Sequence, residues 1–166
     1  MDRPIIGFHT DREGHWVAEL ACGHGQHVRH DPPFTTRPWV LTAEGRAARM
    51  GAVLDCPRCD RLEMPDNHAP YRRTAAFTGE TMPAALRQHH TTRAGVWALI
   101  HVQRGQLEYR LSTPFDSIQV LVPGSPGIVP PEVEHAVSPR GPVEFLVEFW
   151  RAQSQTGPAG FQRLRG

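Results

Sequence analysis

The chain has 166 residues, 39% hydrophobic and 21% charged, which gives room for one ordinary domain or two small ones and excludes extensive disorder. Its 15 glycines and 16 prolines favour short strands joined by turns over long helices. The formal net charge is +1, with 8 arginines against 10 acidic residues up to His68 and 10 against 7 after it, so we expect no nucleic-acid surface.

The sequence indicates a cytoplasmic protein without a membrane partner. Its longest uninterrupted apolar run, residues 96–100, is far shorter than the roughly 20 residues of a membrane span, and no charged-then-apolar segment opens the chain. Three cysteines are an odd number and cannot form a complete set of disulfides. In a reducing compartment, thiols more often bind metal.

The first half of the chain is typical of a small α+β module. Strands are predicted at residues 5–9 and 16–21, on either side of a turn-forming cluster. Thr42 can cap a short helix over residues 43–50. We predict that this module covers residues 1–63.

Two short motifs in the module have the spacing of zinc ligands. Cys22-Gly-His24 is a C-x-H pair, and Cys56-Pro-Arg-Cys59 is a C-x2-C pair. Structural zinc takes four such ligands in a tetrahedron, and its binding free energy would stabilise a module too small to bury much apolar surface. We therefore predict a structural zinc held by Cys22, His24, Cys56 and Cys59.

Other interpretations of these residues stay open. His27 is the alternative fourth ligand because its spacing from Cys22 is also workable, and His30 is a further rival. The three cysteines could instead be buried free thiols beside surface histidines. A redox C-x2-C motif is a third interpretation, although the βαβ context of such motifs is missing.

The second half changes to a strand-rich pattern. We predict a linker at residues 64–70, a barrel at 71–152 and a tail at 153–166. Turn residues separate β-rich runs with the regular spacing of a sandwich or small barrel. The predicted strands cover residues 96–102, 106–111, 118–122, 127–129, 133–137 and 143–150.

Residues 124–135 resemble the second cupin motif, G-x5-P-x-G-x2-H-x3-N, in their spacing. Glu132 and Pro139 stand where the motif has glycine and asparagine. The resemblance predicts that His135 points into a β-barrel. The first cupin motif is mostly missing, since its metal-binding glutamate would fall at Ala98, so an ordinary site of three histidines and a glutamate is not expected.

Two family resemblances cover most of the chain. Residues 4–62 resemble a small bacterial Cys/His-rich domain family of unknown function, through Gly14-His-Trp-Val-Ala-Glu-Leu20, Cys22-Gly-His24 and Gln26-His-Val-Arg-His30. Residues 69–151 resemble the TehB/YeaR-like, tellurite-resistance-associated family, a short cupin-type barrel (double-stranded β-helix), through residues 90–97, Pro130, His135 and 147–149. The fold predicted for the whole chain is thus mainly β, a zinc-binding α+β module followed by one cupin-type barrel.

The second resemblance implies a divalent metal (Zn, Fe, Mn or Ni) held in the barrel by His90, His135 and Glu148. Strand alternation places Glu148 with Leu146 and Trp150, as either a buried ligand or a half-exposed rim residue. His101 is predicted to face outward on its strand. Trp97 and Trp150 are predicted as packing residues.

These observations lead to a metal-binding, cupin-type module of unassigned substrate. We expect it to bind a small molecule or oxyanion, or to act in the response to tellurite or reactive nitrogen. The alternative is a metal-dependent cupin dioxygenase or isomerase that uses His90, His135 and Glu148. A third interpretation is a protein-interaction adaptor, and analogy with the fold suggests a homodimer formed through a sheet edge.

Overall fold

The N-terminal module is built on an antiparallel sheet. The computed structural model describes residues 1–29 and 36–153. Strands β1 (Asp2–Thr10), β2 (Trp16–Leu20), β3 (Gly25–His27) and β4 (Val53–Asp55) form a sheet of order β3-β2-β1-β4. The strands predicted at residues 5–9 and 16–21 are therefore confirmed as β1 and β2.

The helical part of the module is short. It consists of a 3-10 helix (Pro38–Leu41), α1 (Ala43–Ala47) and α2 (Pro57–Asp60). Thr42 Oγ1 accepts a hydrogen bond from the Gly45 N–H at 3.0 Å, which is the predicted cap of α1. The helix ends earlier than predicted because the next three residues form a turn that leads to Gly51, whose φ is +78°.

Two antiparallel sheets form the C-terminal barrel. One has the order β10-β7-β12-β5, with β6 also paired to β12, and the other has the order β11-β8-β9. Their strands are β5 (His68–Arg73), β6 (Phe77–Thr78), β7 (Trp97–Arg104), β8 (Leu107–Leu111), β9 (Ser117–Leu121), β10 (Gly127–Val129), β11 (His135–Pro139) and β12 (Glu144–Ala152). The mainly β, cupin-type prediction is confirmed.

Individual strands differ from their predicted bounds for local reasons. The strand predicted at residues 133–137 begins at His135 because Glu132, with φ +62°, still belongs to the preceding turn. The pairing of β5 and β6 with β12 was not predicted from the sequence. Strand β5 contains a proline, and β6 has only two residues. The composition of these two segments therefore does not predict strands.

Alternate residues of the barrel strands point inward to form the core. Ala98, Ile100 and Val102 of β7 pack with Phe145 and Val147 of β12. The intervening residues therefore lie on the outer face of the same sheet. That outer face is where the N-terminal module docks.

Trp97 links the two halves of the chain. It is fully buried, but among the core residues of the N-terminal module rather than of the barrel, and Ile128 and Trp150 pack partly against the same cluster. Arg3 of the module is also buried and donates a hydrogen bond to the Pro131 carbonyl of the barrel at 3.0 Å. The contact between the module and the barrel is thus apolar and includes buried hydrogen bonds.

The predicted linker, residues 64–70, contains the first residues of β5, which starts at His68. Of the predicted tail, only Gln153 lies within the described residues, and its N–H donates to the Asn67 carbonyl at 2.9 Å. None of the helices in residues 1–29 and 36–153 is long and apolar enough to cross a bilayer.

Candidate metal centre and barrel cavity

Two local segments bring the predicted zinc ligands together. Cys22 and His24 lie on the turn between β2 and β3, Cys56 directly precedes α2, and Cys59 lies within α2. Pro57 opens α2 and presets its first turn, so the two sulfurs of the C-x2-C motif reach the same side. All four side chains are buried, and their ligand atoms lie within 4.8 Å of one another.

The distances within this cluster are those of a tetrahedral metal site. His24 Nδ1 lies 3.4 Å from Cys22 Sγ, 3.4 Å from Cys56 Sγ and 3.6 Å from Cys59 Sγ, and the Cys22 and Cys56 sulfurs are 3.9 Å apart. With Zn–S of about 2.3 Å and Zn–N of about 2.0–2.1 Å, a tetrahedron has N···S edges of about 3.6 Å and S···S edges of about 3.8 Å. The cluster can therefore hold a metal ion without rearrangement.

Without a bound metal, the three thiols of the cluster do not all favour the thiolate form. A hydrogen bond from Cys59 lowers the pKa of Cys22, while the Cys22 contact and then burial raise the pKa of Cys59 to about 12. Burial also raises the pKa of Cys56. A bound dication removes this conflict because a coordinating thiol is deprotonated outright.

A barrel residue closes the cluster from outside the module. The Trp97 ring packs edge-on against His24, with centroids 5.7 Å apart, and its Nε1 donates to the Cys22 carbonyl at 2.8 Å. His68, at the start of β5, lies against Gly23, where any Cβ would collide with its ring, and binds the Gly95 carbonyl through Nε2 at 3.0 Å. The role of His68 was not predicted from the sequence, because a histidine in a predicted linker carries no spacing signal.

The structure distinguishes between the alternative fourth ligands. His24 lies in the cluster, whereas His27 is half-exposed and binds Asp11 Oδ2 through Nε2 at 2.9 Å. His30 lies outside the described residues.

The barrel contains a second feature, a partly open cavity of about 160 Å³. Apolar side chains form most of its wall, and the lining includes no charged residue among the described residues. The lining residues are Thr74, Phe77, Pro83, Ala85, Leu86, His90, Thr92, Ala98, Ile100, Val129, His135, Val137, Phe145, Val147 and Phe149.

His90 and His135 meet at this cavity. Their ring centroids are 4.0 Å apart, and their backbones exchange two hydrogen bonds, of 3.2 Å and 2.9 Å. The His135 Nδ1–H donates to the Val133 carbonyl at 3.0 Å, and burial lowers the pKa of His135 to about 4. His90 Nδ1 and Thr92 Oγ1 are buried and have no hydrogen-bond partner within the described part of the chain.

Glu148 is not part of this group, which corrects the predicted triad. Phe145, Val147 and Phe149 of β12 line the cavity, so Glu148 is on the opposite face of the strand. There it accepts a hydrogen bond from Trp150 Nε1 at 3.0 Å, and His101 Nε2 lies 3.8 Å from its Oε2. Two imidazoles are fewer than the three protein ligands of a catalytic zinc site, and a threonine hydroxyl is not one of the usual zinc ligands, so this set does not fit the implied barrel metal.

Two family models match different parts of the chain. Residues 6–63 match a family described as a protein of unknown function (DUF3565), and residues 72–147 match the TehB-like domain family. No curated protein matches the chain significantly.

Three solved structures are similar to parts of the chain. A protein from E. coli strain K12 is 25% identical with a TM-score of 0.50, over 55% of this chain and 97% of that one. TehB from Haemophilus influenzae is 21% identical with a TM-score of 0.49, over 52% of this chain but only 32% of TehB, so this chain spans about a third of that protein. KdgF from Halomonas sp. is 15% identical with a TM-score of 0.34, over 53% of this chain and 67% of that one.

Proposed function

We propose, for a chain that combines an N-terminal DUF3565 domain with a C-terminal TehB-like domain, that it is a small-molecule binding protein stabilised by a structural zinc. The ligand would occupy the barrel cavity beside His90 and His135, and the zinc would hold the N-terminal module on the outer face of the barrel. The observation that carries the binding role is an apolar cavity whose lining includes His90, His135 and two threonines, the usual form of a small-molecule site.

Zinc is the metal that the N-terminal cluster suits best. Three thiolates and one imidazole are soft to borderline ligands, and a closed tetrahedron of four protein ligands is typical of structural rather than catalytic zinc. The energetic need is also clear, because about 60 residues bury too little apolar surface to be comfortably stable alone.

The lining of the cavity favours a neutral ligand over the oxyanion expected from the family resemblance. An oxyanion that enters the barrel loses its hydration. Among the described residues, no arginine lines the cavity to compensate its charge. The low pKa of His135 keeps its imidazole neutral at physiological pH. We therefore propose binding of a neutral molecule as the primary role, ahead of tellurite handling.

The alternative function, metal-dependent catalysis in the barrel, has less support. A dioxygenase or isomerase that uses His90, His135 and Glu148 needs the carboxylate beside the imidazoles, and Glu148 lies on the other face of β12. The arrangement supports binding over this chemistry.

A methyl NMR titration tests the binding role. Toluene, phenol and benzoate would be added separately to the full chain, and we expect at least one of them to shift the methyl signals of Ile100, Val129 and Val147. These methyl groups line the cavity, whereas those of Ile5 and Val40 lie in the N-terminal core and should not move.

A cavity-filling variant supplies the control. Ala98→Leu places a larger side chain in the cavity and should abolish the shifts, whereas Ala136→Leu, on a strand position that does not line the cavity, should leave them. If none of the three probes moves the cavity methyl groups of the wild-type protein, the proposed function is wrong.

A further inference from the structure

The polar groups of the cavity specify what its ligand must offer. The Val133 carbonyl can only accept a hydrogen bond, so His135 carries its proton on Nδ1 and keeps Nε2 as a bare acceptor. His90 and Thr92 also line the cavity, and their Nδ1 and Oγ1 atoms are buried without a partner among the described residues. Buried polar atoms without partners are costly, and a ligand that bonds to them recovers that cost.

Size and aromatic lining restrict the ligand further. The cavity of about 160 Å³ is close to the roughly 150 Å³ of an engineered apolar cavity that accepts benzene. Phe77, Phe145 and Phe149 present aromatic surfaces to the interior. Aromatic rings pack favourably edge-on or offset against such surfaces, so a six-membered aromatic ring fits both the volume and the wall.

The position of the polar groups indicates how such a ligand would lie. An outer groove shares four wall residues with the cavity: Leu86, His90, Thr92 and Phe149. His90 and Thr92 therefore form part of the wall between the interior and the groove. A ligand that enters from the groove would leave its polar group at this wall and place its ring among the phenylalanines.

We propose that the barrel binds a neutral hydroxy-aromatic compound of about the size of phenol, with its hydroxyl bonded at His90, Thr92 and His135. This inference rests on the proposed binding function and adds the ligand class. The phenolic O–H donates to the bare Nε2 of His135, and the phenolic oxygen accepts from the Thr92 hydroxyl and from His90 Nδ1–H. The aromatic ring fills the apolar part of the cavity.

Affinities for three matched probes test this ligand class. Phenol, toluene and benzoate would be titrated into the full, zinc-loaded chain by calorimetry, with methyl NMR to locate the site. Toluene has a methyl group in place of the hydroxyl and leaves the polar groups unpaired, so we expect phenol to bind about tenfold or more tightly. Benzoate carries a charge that the cavity does not match, and we expect no measurable binding.

Two threonine variants identify the group responsible. Thr92→Val keeps the shape of the side chain and removes its hydroxyl, and should lower phenol affinity about tenfold without weakening toluene binding. Thr91→Val removes a hydroxyl that lines only the outer groove and should change neither affinity.

The outcomes separate this inference from the proposed function. If toluene binds as tightly as phenol, or if Thr92→Val leaves the preference unchanged, the ligand class is wrong and the binding function stands. If benzoate binds most tightly, the anion is held by Arg72 and Arg93 of the outer groove, and the inference fails in the same way. If no probe reaches the cavity, both are wrong.

Discussion

At the scale of single residues, buried polar side chains lie at the cysteine cluster, at the contact between the two halves and at the barrel cavity. Among the described residues, four polar or charged side chains are buried: Arg3, His24, His68 and His135. Three of them bind a backbone carbonyl, and His24 faces three sulfurs. A buried polar group without a partner costs free energy, so each of these contacts helps to specify the packing around it.

His135 should make stability depend on pH. Its pKa falls to about 4 in the folded chain from an ordinary value of 6.5, so the unfolded chain takes up the proton first as pH falls. The stabilisation is complete above pH 6.5 and is lost as pH falls toward 4, and it amounts to roughly 3 kcal/mol. Urea unfolding at several pH values, compared between the wild type and His135→Asn, measures it.

The exposed neighbour His89 provides the control for this comparison. His89→Asn makes the same chemical change at an imidazole whose side chain is 66% exposed, and so shows the effect of removing a histidine that is not buried. Any loss of metal at acid pH affects all three proteins alike and cancels in the differences. Parallel pH profiles for the wild type and His135→Asn would contradict the assignment.

At the scale of secondary-structure elements, turns and strand alternation position the site. The four-residue turn between β2 and β3 places Cys22 and His24 side by side, and the first turn of α2 does the same for Cys56 and Cys59. Alternation along β12 directs phenylalanines into the cavity and Glu148 away from it.

The turn between β7 and β8 should be intolerant of any side chain at Gly105. Its φ is +77°, and a Cβ there would collide with the Pro142 carbonyl oxygen. Gly105→Ala should therefore lower the free energy of unfolding by about 3 kcal/mol or more, through backbone strain and steric overlap together.

Gly124→Ala isolates the backbone contribution. Gly124 has φ +85°, but nothing lies within 4 Å of a Cβ built on it, so its substitution should cost only about 1 kcal/mol. Urea unfolding followed by circular dichroism measures both variants. If both variants lose the same free energy of unfolding, the backbone around Pro142 relaxes and the steric overlap costs little.

At the scale of the whole molecule, the cluster and the interface between the two halves are one structure. Trp97 belongs to the barrel strand β7, yet it packs on His24 and bonds to the Cys22 carbonyl. Loss of order around the cluster therefore exposes apolar surface on the barrel as well. We expect the N-terminal module and the barrel to unfold together.

Elemental analysis of the purified chain tests the zinc assignment. We expect about one zinc per chain in the wild type and almost none in Cys56→Ser, because a hydroxyl is a poor substitute for a thiolate ligand. The thermal midpoint of Cys56→Ser should be lower than that of the wild type, because the free energy of metal binding contributes to folding. The barrel strands should unfold at the same lowered temperature.

His27→Ala is the matched control, since His27 binds Asp11 and not the cluster. It should retain the zinc and the thermal midpoint. A folded, metal-free wild-type protein would refute the assignment, and loss of zinc from His27→Ala would contradict the ligand set.

The sequence alone was sufficient for features that depend on local spacing. The C-x-H and C-x2-C motifs each bring two ligands to one turn, and alternation with turn residues predicts most strands of the barrel. These inferences hold because side chains two or three residues apart are placed by the local backbone. Predicting the mainly β fold required no long-range information beyond the number and spacing of strands.

The tertiary structure decided everything that joins distant segments. It placed His24 rather than His27 beside the cysteines, brought Trp97 and His68 against the cluster, and left Glu148 outside the cavity that His90 and His135 line. Spacing along the chain cannot predict such contacts, because they depend on which faces of separate elements bury their apolar surface together. Packing between residues far apart in sequence, rather than any motif, creates the cavity and its unpartnered polar atoms.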